Sequence, residues 1–425
     1  MTTHNKGEMA VEEMLQYAPP SPALLGKLGS GVRTTVAQLS DIAETSRQQY
    51  YFSLIKEIIS EEYSIGSLLE LHQIFGGYVN TTFGVYVEKE GRKETWIVRQ
   101  YRKGKTLDAL TFEHRLLRHA KSNGNEFVAA PINTKDGKTY VIRDIDNGVE
   151  QEQHFFAIFN YIGGKQIYDW MPNWAVDTLK DITIETAAKS LAQFHSSTFD
   201  FDPQGLRGDN ILATNEDMKV NELIADLPRR LLEFRLLYAQ NGLNNKFTEY
   251  MDIFQSNYTE WCAKAAIAAA DYQKLLQCPC HLDFHAGNFK YWDDESISGS
   301  FDYDMAMIDS RLFDIALGMH YTLASWSLKS SGAIDLARVE QFVRAYNENC
   351  EAIGKIQALS DIEKSYFFEA MLQAPIYVYG WAQGSVSADL SVNQYEYLFY
   401  CQHFSDSCQW LLEHEQEIRS LAGRL

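Results

Sequence analysis

A chain of 425 residues, 45% hydrophobic and 13% aromatic with 9 prolines, has room for two or three lobes around a substantial core and little scope for disorder. Its formal net charge of -19 disfavours nucleic acid or an anionic membrane as a partner, because both are bound through clustered Lys and Arg. No run approaches the roughly 20 apolar residues of a membrane span, the start MTTHNKGEMAVEEMLQY lacks the basic-then-apolar order of a signal peptide, and the cysteines are scattered, so a cytoplasmic protein with reduced thiols is expected.

Residues 1–66 read as a helical extension, in which LIKEIISEEY has helix-like apolar spacing and PPSP and GKLGSG act as punctuation. Gly26 and Gly31 have the glycine spacing of a Walker sequence. The Lys-Ser or Lys-Thr pair is missing after Gly31 and no apolar strand precedes Gly26, so the segment reads as a turn. This extension is expected either to cap the β-rich region after it or to contribute to a homodimer contact.

Between residues 67 and 160 the character changes. Short β-type runs, LELHQIF, TTFGVYVE, ETWIVRQY, KTYVIRD and FFAIFNYI, are separated by turn residues. One helical stretch interrupts them from about Leu107 to Ser122, with Thr106 or Asp108 as its N-cap. From residue 161 to 425 the pattern is mainly helical, except from Cys278 to Ile308, where short apolar runs and turn residues predict strands and loops. The expected class is α+β, with a small β-rich N-terminal lobe and a large helical C-terminal lobe.

The chemistry gathers in that exception. CHLDFHAGNFKYW carries His281, Asp283, His285, Gly287 and Asn288. An Asp followed five positions later by an Asn is the arrangement kinases use: the Asp orients the attacking hydroxyl and the Asn carbonyl oxygen holds magnesium. A second acidic group should follow on a neighbouring strand, and GSFDYDMAMIDSRLFDIA supplies Asp302. Magnesium prefers such hard oxygen ligands. A different reading makes His281, Asp283 and His285, on one face of a strand, a two-histidine, one-carboxylate metal site; the Asp-x-Asp downstream is superfluous to it. Cys278 and Cys280, flanking Pro279, have no second cysteine pair to complete a metal tetrahedron and read as small apolar residues on a strand.

Upstream, a kinase needs a turn over the phosphates, a basic residue on the third strand and a Glu on the next helix. IFGGYVNTTFGVYV offers Gly76 and Gly77, which let backbone approach phosphates, and Asn80 where the strand resumes; an ordinary hairpin turn is the alternative. ETWIVRQY places Arg99 where kinases usually carry Lys, and a guanidinium can bridge phosphate oxygens in a fork. Glu113, in LTFEHRLLRHA, is placed to pair with Arg99.

The order HxDxHxxN, then DxD, then FDIA resembles the phosphotransferase enzyme family, which includes aminoglycoside phosphotransferases, choline kinases, methylthioribose kinase and homoserine kinase type II. The resemblance implies a protein-kinase-like two-lobed fold, ATP and Mg2+ as cofactors, and phosphoryl transfer to a small hydroxyl-bearing substrate: an amino alcohol such as homoserine or choline, a sugar, or an aminoglycoside. It implies Asp283 as catalytic base, Asn288 and Asp302 as metal ligands, His281 as a loop-structuring residue and His285 as a loop packer. Asp304 would assist a second metal, and Asp314 would receive hydrogen bonds from the catalytic loop. FAIFNYIGG resembles the family's hinge, where backbone groups from Phe159 through Tyr161 to Ile162 would bind adenine. A catalytically silent nucleotide-binding protein of the same fold is the alternative, against which the joint retention of Asp283, Asn288 and Asp302 argues. Acceptor choice lies in the helical lobe, where Tyr377, Tyr379 and Trp381 of APIYVYGWAQG either line a small pocket or pack the core.

Overall fold

Alternation shapes the sheet. In β2 (Thr81–Lys89) Phe83, Val85 and Val87 are buried and the residues between them are less so, the two-residue period of a strand with one face in a core. The chain returns into β3 (Arg92–Gln100) through Glu90 and Gly91, whose φ values of 52° and 77° suit a two-residue hairpin turn. β1 (Ser67–Ile74), β4 (Val141–Asp146) and β5 (Gln151–Asn160) complete an antiparallel sheet in the order β1-β2-β3-β5-β4. The structure, a computed structural model, describes residues 36–74, 80–146, 151–168, 179–208, 218–240, 248–249, 252, 256–388 and 394–425. Gly26, Gly31, Gly76 and Gly77 therefore lie outside the described residues.

A helix covers each face of the sheet. α1 (Val36–Glu62) lays Tyr51, Ile55, Ile58 and Ile59 on Phe83, Val85, Val98 and Ile158. The opposite face, with Ala157 and Phe159, receives Leu110, Phe112, Leu116 and Leu117 of α2 (Leu107–Ser122). Each such side chain, fully withdrawn from water, contributes about 1.5–3 kcal/mol. Of the two expected caps for α2 it is Thr106 that acts: its Oγ1 accepts the N–H of Ala109 at 3.2 Å.

The remainder is helical around a separate core: α3 (Asp181–Thr198), α4 (Val220–Gln240), α5 (Tyr258–Ala265), α6 (Arg311–Leu323), α7 (Leu336–Ile353), α8 (Phe367–Ala388), α9 (Gln394–Glu413) and α10 (Glu415–Ala422). α8 packs against α4, α5, α6 and α9. Gly380 makes room for Leu227 of α4, since a Cβ there would stand 2.8 Å from Leu227 Cδ1. No described helix is long and apolar enough to cross a membrane.

Two small antiparallel pairs interrupt the helices, β6 (Gln277–Cys280) with β9 (Met307–Ser310) and β7 (Phe289–Tyr291) with β8 (Ile297–Ser300). The chain leaving β5 crosses the second pair. Lys165 and Tyr291 exchange backbone hydrogen bonds of 2.8 and 2.9 Å, and Ser298 Oγ donates to the Gly163 carbonyl at 2.6 Å. This joint fixes the sheet over the loops that come after β6 and β8.

Candidate active site

The loop after β6 and the turn after β8 each contain a backbone conformation that only external support explains. Leu282 has φ 61° and Asp302 φ 65°, a region that costs a residue with a side chain about 1–3 kcal/mol. Asp314, in the first turn of α6, holds the first of them. Its Oδ2 accepts the N–H of His281 at 2.8 Å and its Oδ1 that of Leu282 at 2.9 Å. His195 of α3 secures the same carboxylate, with Nε2 2.9 Å from Oδ2 and its other ring nitrogen 2.8 Å from the Tyr346 hydroxyl. Burial alone would raise the Asp314 pKa, but the His195 hydrogen bond and the His281 N–H outweigh it and hold the carboxyl below its usual range.

On this support Asp283 is partly exposed and tightly oriented. Asn288 Nδ2 donates to its carbonyl at 2.8 Å and to its Oδ2 at 3.0 Å, and His285 Nε2 lies 3.6 Å from the same oxygen. His285 Nδ1 accepts the N–H of Gly287 at 3.0 Å. His281 Nδ1 accepts the Asp283 N–H at 3.3 Å, and its Nε2 lies 3.1 Å from the Phe301 carbonyl. Both His281 nitrogens are committed to backbone, so the two-histidine metal site is not formed.

Cations reach the turn after β8 from the sheet side. Arg99, near the end of β3 and buried, places Nη2 3.2 Å from Asp302 Oδ1, and Nη1 3.5 Å from Glu113 Oε1 and 3.7 Å from Asp304 Oδ1. Lys105 Nζ lies 3.4 Å from Glu113 Oε2 and donates to the Asp304 carbonyl at 3.5 Å. Asn80 Nδ2 donates to Asp304 Oδ2 at 2.5 Å while its Oδ1 accepts the Arg102 N–H at 3.0 Å. The Tyr101 hydroxyl donates to Glu113 Oε1 at 2.9 Å.

Three carboxylates on two cations leave surplus negative charge, and the titration of the cluster reflects it. Burial raises the Glu113 pKa; Lys105 and Arg99 lower it without cancelling that rise. Burial pushes Asp302 up to about 7, opposed by Arg99 and reinforced by the charges of Asp304 and Asp283, although a third of its side chain still reaches solvent. Asp304 is desolvated too, yet Arg99, Lys105 and Asn80 hold it below its usual range. Its buried Oδ1 makes no hydrogen bond. Hard oxygens, surplus negative charge and an unsatisfied buried acceptor fit a hard divalent cation.

Asn80, Arg99, Glu113, Asp283, Asn288, Asp302 and Asp304 thus meet at one junction between the sheet and the helical region. Phe159 and Tyr161 do not join the carboxylates. Phe159 is buried, its ring centre 5.8 Å from the Arg99 guanidinium carbon, and Tyr161 is 42% exposed where β5 ends. Tyr377 and Tyr379 pack in the core: Tyr379 stacks on Tyr258 at 3.9 Å and Tyr377 meets Phe313 edge-on at 5.3 Å, while Trp381 tilts against Tyr397 at 5.6 Å. Among the described residues, one group of histidine, cysteine and acidic ligand atoms lies within 4.8 Å of one another, His195 with Cys278 and Cys280. The His195 nitrogens are taken, and Cys280 Sγ donates to the carbonyls of Cys278 and Asp309 at 3.3 and 3.4 Å.

Three residues of the site escaped sequence reasoning. Lys105 stands in the polar run RKGKT, where a lysine reads as solvent-facing, and yet is buried. His195 carries no local signal in its helix. Tyr321 had one: it lies seven positions after Asp314 and so shares its helix face. Its ring lies 5.5 Å from that of His285, and burial together with the Asp283 charge raises its phenol pKa.

A family model described as "Phosphotransferase enzyme family" matches residues 70–352. A homoserine kinase of Ralstonia nicotianae is 24% identical over 328 residues, covering 75% of this chain and 80% of the relative. Among solved structures, choline kinase from Cryptosporidium parvum aligns with a TM-score of 0.53 at 14% identity, over 85% of this chain and 92% of that one. An amicoumacin kinase in complex with AMP-PNP, Ca2+ and Ami aligns with a TM-score of 0.52 at 12% identity, over 89% and 96%. At these identities the two structures share the protein-kinase-like fold with this chain.

Proposed function

The chain belongs to the phosphotransferase enzyme family, and from that premise we propose that it is an ATP-dependent kinase transferring the γ-phosphoryl group to the hydroxyl of a small amino alcohol. One observation carries the reading: Asp283, oriented by Asn288 at 3.0 Å, lies beside a cluster in which Arg99 spans Asp302 and Asp304. The acceptor class rests on the names of two similar proteins, a homoserine kinase and a choline kinase, whose named substrates are both small alcohols carrying a cationic nitrogen.

ATP would lie between the sheet and the β7–β8 pair, its base against the chain from Phe159 to Ile162 and its phosphates toward Arg99. Asn288 donates through its amide nitrogen to Asp283, which leaves the amide oxygen to act with Asp302 and Asp304 as ligands for Mg2+. When bound, Mg2+ would neutralise phosphate oxygens and hold the triphosphate in line. Asp283 accepts a hydrogen bond from the substrate hydroxyl and aims its oxygen at the γ-phosphorus. As that P–O bond forms, the bond to the bridging oxygen breaks and ADP departs; the hydroxyl proton passes to Asp283. Arg99 balances charge on the phosphates, where most catalysis of this reaction arises.

Thermal unfolding with Mg·ATP, combined with ADP release across amino alcohols, sugars and aminoglycosides, tests the proposal. Stabilisation together with turnover on an amino alcohol is expected. Stabilisation without turnover on any acceptor would favour a silent nucleotide-binding protein.

A further inference from the structure

The geometry points to Lys105 as a positioning residue of this site: it is the standing counter-ion of Glu113, which frees Arg99 to turn from the protein's carboxylates to the phosphates of the nucleotide. The inference rests on the kinase reading above and adds a residue that neither the motif pattern nor the family resemblance assigns.

Lys105 owes its place to the chain just ahead of α2. Gly104 takes φ 80°, the Lys105 N–H donates to the Arg102 carbonyl at 3.3 Å, and Thr106 then caps the helix. The turn directs the lysine inward, leaving 1% of its side chain exposed. Its carboxylate partner is Glu113 at 3.4 Å; its other polar contact, at 3.5 Å, is the neutral Asp304 carbonyl. A desolvated ammonium with one carboxylate cannot leave it without remaining as an uncompensated buried charge.

Arg99 is differently placed. It divides itself among three carboxylates, and its contact with Asp302 at 3.2 Å is shorter than that with Glu113 at 3.5 Å. The guanidinium carbon of Arg99 and the ammonium of Lys105 both stand 5.8 Å from the Tyr101 ring centre, so one aromatic ring borders both cations. Mg2+ at Asp302 and Asp304 would draw away two of Arg99's partners, and phosphate oxygens would replace them. Were Glu113 dependent on Arg99 alone, the same event would strip a buried carboxylate of its cation and loosen α2. Lys105 removes that competition. Through the Asp304 carbonyl it also ties the start of α2 to the loop that carries Asp302 and Asp304.

Double-mutant cycles on the full chain test this. Lys105→Met, Glu113→Gln and Arg99→Met, with the pairs Lys105→Met/Glu113→Gln and Arg99→Met/Glu113→Gln, are compared by melting temperature without nucleotide and with saturating Mg·ATP. The Lys105–Glu113 pair is expected to be strongly non-additive in both conditions, the double variant melting no lower than Lys105→Met alone. The Arg99–Glu113 coupling is expected to shrink when Mg·ATP is added. In turnover, Lys105→Met should lower kcat/KM for Mg·ATP by about tenfold or more, because Arg99 is then held by Glu113; Lys105→Arg should recover most of the loss and the Lys105→Met/Glu113→Gln double variant part of it. Additive Lys105 and Glu113 effects would overturn the inference, as would a loss of kcat/KM that Glu113→Gln in the same chain leaves unrecovered, which marks Lys105 as a phosphate ligand. Should Lys105→Met fail to fold, the double variant, lacking both charges, is expected to fold; its failure, with Glu113→Gln folded, would equally refute the pairing. A wild-type protein that neither gains stability from Mg·ATP nor turns over would sink the kinase reading instead, while the nucleotide-free cycle would still decide which cation holds Glu113.

Discussion

Arg99 and Arg311 are both buried against carboxylates, and they behave in opposite ways. Arg311, the first residue of α6, grips Glu363 in a fork, Nε to Oε1 at 2.7 Å and Nη2 to Oε2 at 2.8 Å, and donates further to the carbonyls of Gln357 and Ala358 at 2.8 and 3.1 Å. Ser360 adds its N–H and its hydroxyl to Glu363 Oε2 at 2.8 and 2.7 Å. Burial would raise the Glu363 pKa, but Arg311 outweighs it and the pKa is lowered. Arg99 has no carboxylate nearer than 3.2 Å, and its partner Glu113 is raised. The chemistry is the same and the completeness differs. A node whose donors and acceptors are all satisfied within the chain stabilises; one left with surplus charge and a buried oxygen without a hydrogen bond is arranged for something that binds.

That contrast breaks if the wrong residue harms the wrong property. The largest expected effect is at Asp283: Asp283→Asn should lower kcat by about 10²–10⁴-fold while Mg·ATP still raises the melting temperature, read by ADP release and thermal unfolding on one preparation. Next comes Glu363→Gln, which leaves Arg311 buried with a neutral partner. It should remove about 3–5 kcal/mol of stability, read from urea midpoints, with kcat unchanged below the unfolding transition. Arg99→Met ranks third, with a loss in kcat/KM of about 10²–10³-fold and a smaller loss of stability than Glu363→Gln. The reverse order of stabilities would show that Arg99 is a structural pair after all.

How far the sequence discloses such a site depends on how local its signals are. The strands announce themselves by alternation, as in TTFGVYVE, and α2 by its cap and apolar face. Asp283, Asn288 and Asp302 stand at short fixed spacings, so one stretch of chain brings them to notice. Lys105 and His195 have no such spacing. Lys105 is buried only because Gly104 and the start of α2 turn it toward Glu113, and His195 finds Asp314 across 119 positions of chain. Tyr377 and Tyr379 illustrate the opposite limit. Aromatic residues in an apolar helix serve a pocket or a core equally well in sequence, and the stack of Tyr379 on Tyr258 decides for the core. The same holds for the helix ahead of Gly66, whose apolar face has no visible destination until the sheet supplies Phe83 and Val85.

The subtlest expected difference between the two nodes lies in their response to pH. Glu363 has a folded pKa below that of an unfolded glutamate, about 4.3, so its contribution to stability is full above that value and is lost as pH falls through the folded pKa. Glu113 is displaced the other way, so its contribution is full below the unfolded value and is lost as pH rises through its raised folded pKa. Urea midpoints for the wild type, Glu363→Gln and Glu113→Gln, taken from about pH 3.5 to about pH 8, separate the two by linkage. The stability advantage of wild type over Glu363→Gln should be constant at the upper end and shrink toward acid. The difference between wild type and Glu113→Gln should move against it, becoming less favourable to the wild type as pH rises. Parallel slopes would mean that Glu113 is held as firmly as Glu363, and that the Arg99 cluster is balanced by the chain's own charges.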